Sequence, residues 1–232
     1  MNKEENMFFK VSLLAFIPSL IAMLLYVFLG KIQNNFPSIL LFLICAGVIL
    51  FPFELYIIYK NKENLLNKSK IKWWQLILLT GLLFGFAGLM SIIITPLEHS
   101  LFSNVIDKIN GIMPTYFSWD SSNLVNYSNT MIIITCVLYF LLNIIIYPII
   151  EELFFRGVLT SKLKKYGYLA PIFVTIIFSL YHFWLPFDNI FRITVFILPS
   201  ILAYKYNDIR ISIGFHCACN LFSTVSFILN VI

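Results

Sequence analysis

Seven long apolar runs dominate this chain, at residues 8–30, 37–59, 73–96, 129–160, 168–186, 188–204 and 210–232, bounded by Lys, Asn, Pro or Trp. A helix of roughly 20 apolar residues crosses a hydrocarbon core about 30 Å thick. Inside that core only helices and closed barrels satisfy every backbone group, and the runs lack the alternation of barrel strands. They predict an all-α fold: a polytopic membrane helix bundle of about seven transmembrane helices. The composition agrees, since only 12% of the 232 residues are charged, roughly half the share of an ordinary soluble domain. The first run has no small-residue cleavage site after it, so it reads as a retained anchor rather than a signal peptide.

The formal charge of +5 would suggest a nucleic-acid partner in a soluble protein, but here its placement follows the membrane. Lys3, Lys10, Lys60, Lys62, Lys68, Lys70, Lys72, Lys162, Lys164, Lys165, Lys205 and Arg210 fall on one side of the runs. The alternate loops hold Lys31 and Lys108 together with Glu98, Asp107, Asp120 and Asp188. The positive-inside rule then puts the N-terminus in the cytoplasm of a multi-pass cell-membrane protein and, after seven spans, the C-terminus outside. The lipid bilayer is the expected partner, and no nucleic acid is. Cys45, Cys136, Cys217 and Cys219 lie within runs, away from any loop suited to a disulfide framework, and read as packing residues.

Residues 1–128 read as N-terminal transmembrane helices with an outer segment, and 129–232 as the part that carries the chemistry, the two forming one integrated bundle. Between Pro96 and Tyr127 the spacing of Leu101, Phe102, Val105, Ile106, Ile109 and Met113 predicts a short amphipathic helix at the outer interface. Trp73, Trp74 and Trp184 suit headgroup-level anchors.

Ionisable groups inside spans need a reason, because each costs about 2.5 to 3.5 kcal/mol at a helix centre. Glu54 stands six residues before Lys60 and reads as an acid that reaches water at the cytoplasmic edge. Arg192 follows Asp188 by four residues, the spacing of a surface ion pair. The rest converge. Successive helical residues turn by about 100°, so Glu152 shares a face with Arg156 and is neutralised by it, while Glu151 points elsewhere without a local cation. Such a carboxylate suits general acid–base chemistry. Four-residue spacing stacks Phe178 with His182 and His216 with Asn220 on their helices. Similar depths would let three helices bring Glu151, His182, His216 and Asn220 to one cytoplasm-facing cavity, widened by a bend at Pro148.

These residues form EExxxR (Glu151, Glu152, Arg156), FxxxH (Phe178, His182) and HxxxN (His216, Asn220), in that order. Over residues 130 to 225 or so the chain thereby resembles the CPBP (Abi-like) family of intramembrane proteases, which includes type II CAAX prenyl endopeptidases and bacteriocin-processing enzymes. The resemblance implies hydrolysis of a peptide bond in a membrane-associated peptide or protein. Glu151 with His182 would activate water, His216 and Asn220 would stabilise the oxyanion, and Glu152, Arg156 and Phe178 would support the site. The cofactor is open. Glu151, His182 and His216 are chemically able to bind zinc, but zinc would take Glu151 from its role as free base, so a metal-independent mechanism is preferred. The rival readings are a non-catalytic immunity or regulatory protein of the same fold and an ion-coupled transporter. Paired broken helices or inverted repeats would favour the transporter, and the sequence has neither.

Overall fold

The computed structural model describes residues 5–32, 35–62, 71–112 and 121–231. Lys3, Lys68, Lys70, Met113, Asp120 and Ile232 lie outside them. Among the described residues every regular element is helical: α1 (Glu5–Ile32), α2 (Ser38–Lys60), α3 (Trp73–Ile112), α4 (Asn129–Lys162), α5 (Leu169–Leu180), α6 (Asn189–Tyr206) and α7 (Arg210–Leu229). The chain is a helical membrane bundle. Five helices, α1 to α4 and α7, are long and apolar enough to cross a bilayer. The expected spans at 168–186 and 188–204 are shorter or more polar than the sequence suggested. The 12 residues of α5 rise only about 18 Å, and α6 carries Asn189, Arg192 and Lys205 in its 18 residues.

Two helices depart from the expected boundaries for local reasons. α3 runs unbroken for 40 residues through Pro96, so the separate interfacial helix expected after Pro96 does not form, and Leu101, Phe102 and Val105 remain exposed on its extension. Glu98, expected in an outer loop, is instead buried at 1% exposure. Its carboxylate accepts hydrogen bonds from the backbone N–H groups of Ile190 at 2.8 Å and Phe191 at 2.9 Å. It thus caps the N-terminus of α6, whose first N–H groups have no partner within the helix. Replacing it (Glu98→Ala) is expected to cost about 1–2 kcal/mol, read as a lowered melting temperature of the purified protein in detergent. No change in melting would show that the cap is dispensable.

Among the described residues, three π-helical turns interrupt the long helices, Ala46–Leu50 in α2 and Leu142–Ile146 and Leu153–Leu159 in α4. Such turns are uncommon and recur at functional sites. Glu151 and Glu152 lie between the two turns of α4, and Glu54 follows the turn of α2. The helices α2 and α4 are tied along their length. Phe51 stacks on Tyr147 with ring centroids 3.7 Å apart, the Tyr147 hydroxyl donates to the Leu43 carbonyl at 3.0 Å, and Lys162 Nζ donates to Asn61 Oδ1 at 3.1 Å. On the other side, a Cβ at Gly214 would stand 2.8 Å from Thr80 Oγ1, so the glycine is what lets α7 and α3 approach so closely.

Candidate active site

The two acids of α4 are both buried, Glu151 at 5% exposure and Glu152 at 0%. Arg156 Nη1 lies 3.0 Å from Glu152 Oε1, the one-face pairing that the four-residue spacing predicts. The guanidinium also donates from Nε to Ser200 Oγ at 2.9 Å and lies over the rings of Phe178 and Phe196, at 4.2 and 5.2 Å. Phe178 is therefore a platform for Arg156 as well as a neighbour of His182.

His216, on α7, reaches both acids. Its Nδ1 is 3.0 Å from Glu152 Oε1 and its Nε2 is 3.7 Å from Glu151 Oε2. It is held edge-on between Phe178 and Phe196. The imidazole thus links the carboxyl neutralised by Arg156 to the one that is not. On its other oxygen, Glu151 accepts a hydrogen bond from the hydroxyl of Tyr181, a residue that no motif or spacing singles out. The Tyr181 carbonyl in turn accepts from Ser19 Oγ of α1.

His182 lies just past the end of α5 rather than on it, in the turn that runs to Asp188. It keeps its tie to Phe178 in another form, a 2.6 Å contact between Nδ1 and the Phe178 carbonyl. A ring nitrogen facing a carbonyl donates, so the neutral ring presents Nε2 as an acceptor. Trp184 is not a headgroup anchor: it is 5% exposed and packs on His182, Tyr181 and Phe42 of α2. Trp73 and Trp74 are exposed, as anchors would be. Asn220 donates from Nδ2 to the Asn143 carbonyl at 2.8 Å, which leaves the second amide hydrogen for another partner.

Two further expectations are corrected. Arg192 makes no surface pair with Asp188. It is buried at 9% exposure and binds the Ser179 carbonyl, Asn189 Oδ1 and the Leu185 carbonyl, while Asp188 meets His99 at 3.3 Å. Glu54 does not reach water at the edge: it is fully buried, and neither carboxyl oxygen has a hydrogen-bond partner. The six-residue distance to Lys60 says nothing about which face of α2 carries the acid, and that face is turned inward.

Between α2 and α4 lies an open cavity of about 430 Å³, lined by apolar side chains that include Leu40, Val48, Leu55, Leu138 and Ile150 and by none of the acids or imidazoles. Among the described residues no group of three His, Cys, Asp or Glu side chains is placed to hold a metal ion. All four cysteines are free thiols.

The fold and these contacts define a multi-pass helical membrane protein that buries two adjacent acids against the imidazole of His216 within its bundle. No curated protein and no solved structure matches the chain. Residues 133–222 match the family model described as type II CAAX prenyl endopeptidase Rce1-like, and this stretch of the chain is similar to that protease family. The matched stretch contains Glu151, Glu152, Arg156, Phe178, His182, His216 and Asn220.

Proposed function

We propose that the protein is an intramembrane endopeptidase that cleaves a membrane-associated peptide or protein by glutamate-activated water. The observation that carries this is the division of labour between adjacent acids. Glu152 is matched by Arg156 at 3.0 Å, whereas among the described residues Glu151 meets no cationic side chain at that distance and is oriented by the Tyr181 hydroxyl, with His216 Nε2 3.7 Å away. A buried, oriented carboxylate is the group that takes a proton from water as it attacks a carbonyl. His182, its Nδ1 engaged by the Phe178 carbonyl, assists through Nε2. The free amide hydrogen of Asn220 and the ring of His216 stabilise the oxyanion. Glu152 and Arg156 hold His216 in place, and no step runs through a metal ion.

The apolar cavity between α2 and α4 suits a substrate that brings a hydrocarbon chain or an apolar peptide stretch from the lipid. The distribution of lysines supports a cytoplasmic N-terminus and an outer C-terminus. That assignment is the same for five crossings or seven, because α5 begins and α6 ends on the lysine-rich side, at Lys162–Lys165 and Lys205. The test is a comparison of peptides released from membranes that contain the wild-type protein or Glu151→Ala. Peptides present only with the wild type are expected, and identical peptide sets would refute the proposal.

A further inference from the structure

Among the described residues, Glu54 is a buried acid that the peptidase mechanism leaves unused. It is fully buried, neither oxygen has a hydrogen-bond partner, and an acid so placed is retained in a membrane helix for a function. Its neighbours are chemical ones. It lies near enough to Glu151 and Tyr181 for their charges to interact, yet it makes no hydrogen bond to either. The register of α2 on α4 explains the placement. Phe51 stacks on Tyr147, and one helical turn further along each helix stand Glu54 and Glu151. The second tie, Lys162 to Asn61, fixes the same register from the other end. Two carboxyl groups thus stand at matching levels of α2 and α4, with a gap between them that no hydrogen bond spans, one held by the Tyr181 hydroxyl and the other by no hydrogen bond.

Resting on the peptidase reading, we propose that Glu54 is a further catalytic residue, the carboxylic acid that protonates the departing amine while Glu151 deprotonates the attacking water. Unequal surroundings split two neighbouring carboxyls into an acid and a base. Glu151 has the Tyr181 hydroxyl as a donor to stabilise a carboxylate. Glu54 has neither a cation nor a donor, so it carries the proton. In the first step a water O–H bond breaks, its proton goes to Glu151, and the oxygen bonds to the scissile carbonyl carbon. In the second the C–N bond breaks and the nitrogen takes the Glu54 proton. Transfer of the proton from Glu151 to Glu54 across the gap restores both groups, with water and a peptide consumed and an acid and an amine formed.

The experiment uses the full chain in lipid nanodiscs and two probes. One is a quenched fluorogenic peptide with a farnesyl-cysteine near its C-terminus. The other is the same peptide acyl group as an aryl ester, whose leaving group needs no proton. Glu54→Gln is expected to lower kcat on the peptide by about 100-fold or more, with KM nearly unchanged, because general acid catalysis contributes about 10²–10⁴-fold. On the ester it is expected to lose less than about 10-fold, since that acid contribution is no longer needed. Glu151→Gln should fail on both. Glu54→Leu serves as the folding control: it removes an unpartnered carboxyl, so it should melt no lower than the wild type while losing peptide cleavage. Peptide cleavage retained by Glu54→Gln, or equal losses on peptide and ester, would overturn the role of Glu54 and leave the peptidase standing. A wild-type protein that cleaves neither probe would overturn both.

Discussion

Turnover of the purified protein on a cleavable peptide is expected to fall by about 1,000-fold in Glu151→Gln, within the range that a general base contributes. The isosteric amide still accepts from the Tyr181 hydroxyl, which Glu151 does in the wild type, so the bundle should melt as before. The fall should appear in kcat with KM little altered, the mark of an interaction made only in the transition state. Glu152→Gln separates the two acids. It removes the charge that Arg156 matches at 3.0 Å and loosens His216, so it should lower melting and activity together. If Glu151→Gln kept a tenth of the wild-type rate, Glu151 would not be the base.

The second large effect concerns stability. Glu152 and Arg156 are respectively 0% and 7% exposed, and breaking a buried pair by removing one partner costs about 3–5 kcal/mol. Arg156→Ala is therefore expected to lose that much, measured by denaturation in mixed micelles. Replacing both residues by leucine should recover most of it, because two apolar side chains of similar size leave no unmatched charge. The double variant should still be inactive, since His216 loses the Glu152 oxygen it meets at 3.0 Å. A double variant as unstable as Arg156→Ala would mean that the cost lies in lost packing of the guanidinium on Phe178 and Phe196, not in charge.

Local geometry was legible in the sequence and long-range geometry was not. The Glu152–Arg156 pair needs only the pitch of one helix, so spacing sufficed. Acids and imidazoles where lipid should exclude them marked the candidates, but not which of them touch: His216 meets both acids, while His182 is tied to Phe178. Tyr181 has no such signal, because a tyrosine near a helix end is ordinary and its contact with Glu151 spans 30 positions. Glu54 carried the right signal, but proximity to Lys60 along the chain suggested an exit to water that the inward face of α2 closes. Pro96 was read as a helix end, whereas membrane helices tolerate proline when neighbours satisfy the freed backbone group. The early end of α5 shifted His182 from a helix face into a turn.

The ties between the first helices and the site set a boundary of their own. Family likeness begins at residue 133, yet Ser19 anchors the Tyr181 backbone, Phe42 supports Trp184, and Leu43 receives the Tyr147 hydroxyl. What is inherited recognisably and what must be present for the residues to stand where they do are different lengths of chain. Variation in the early helices can thus reshape the approach to the acids without touching a single motif position.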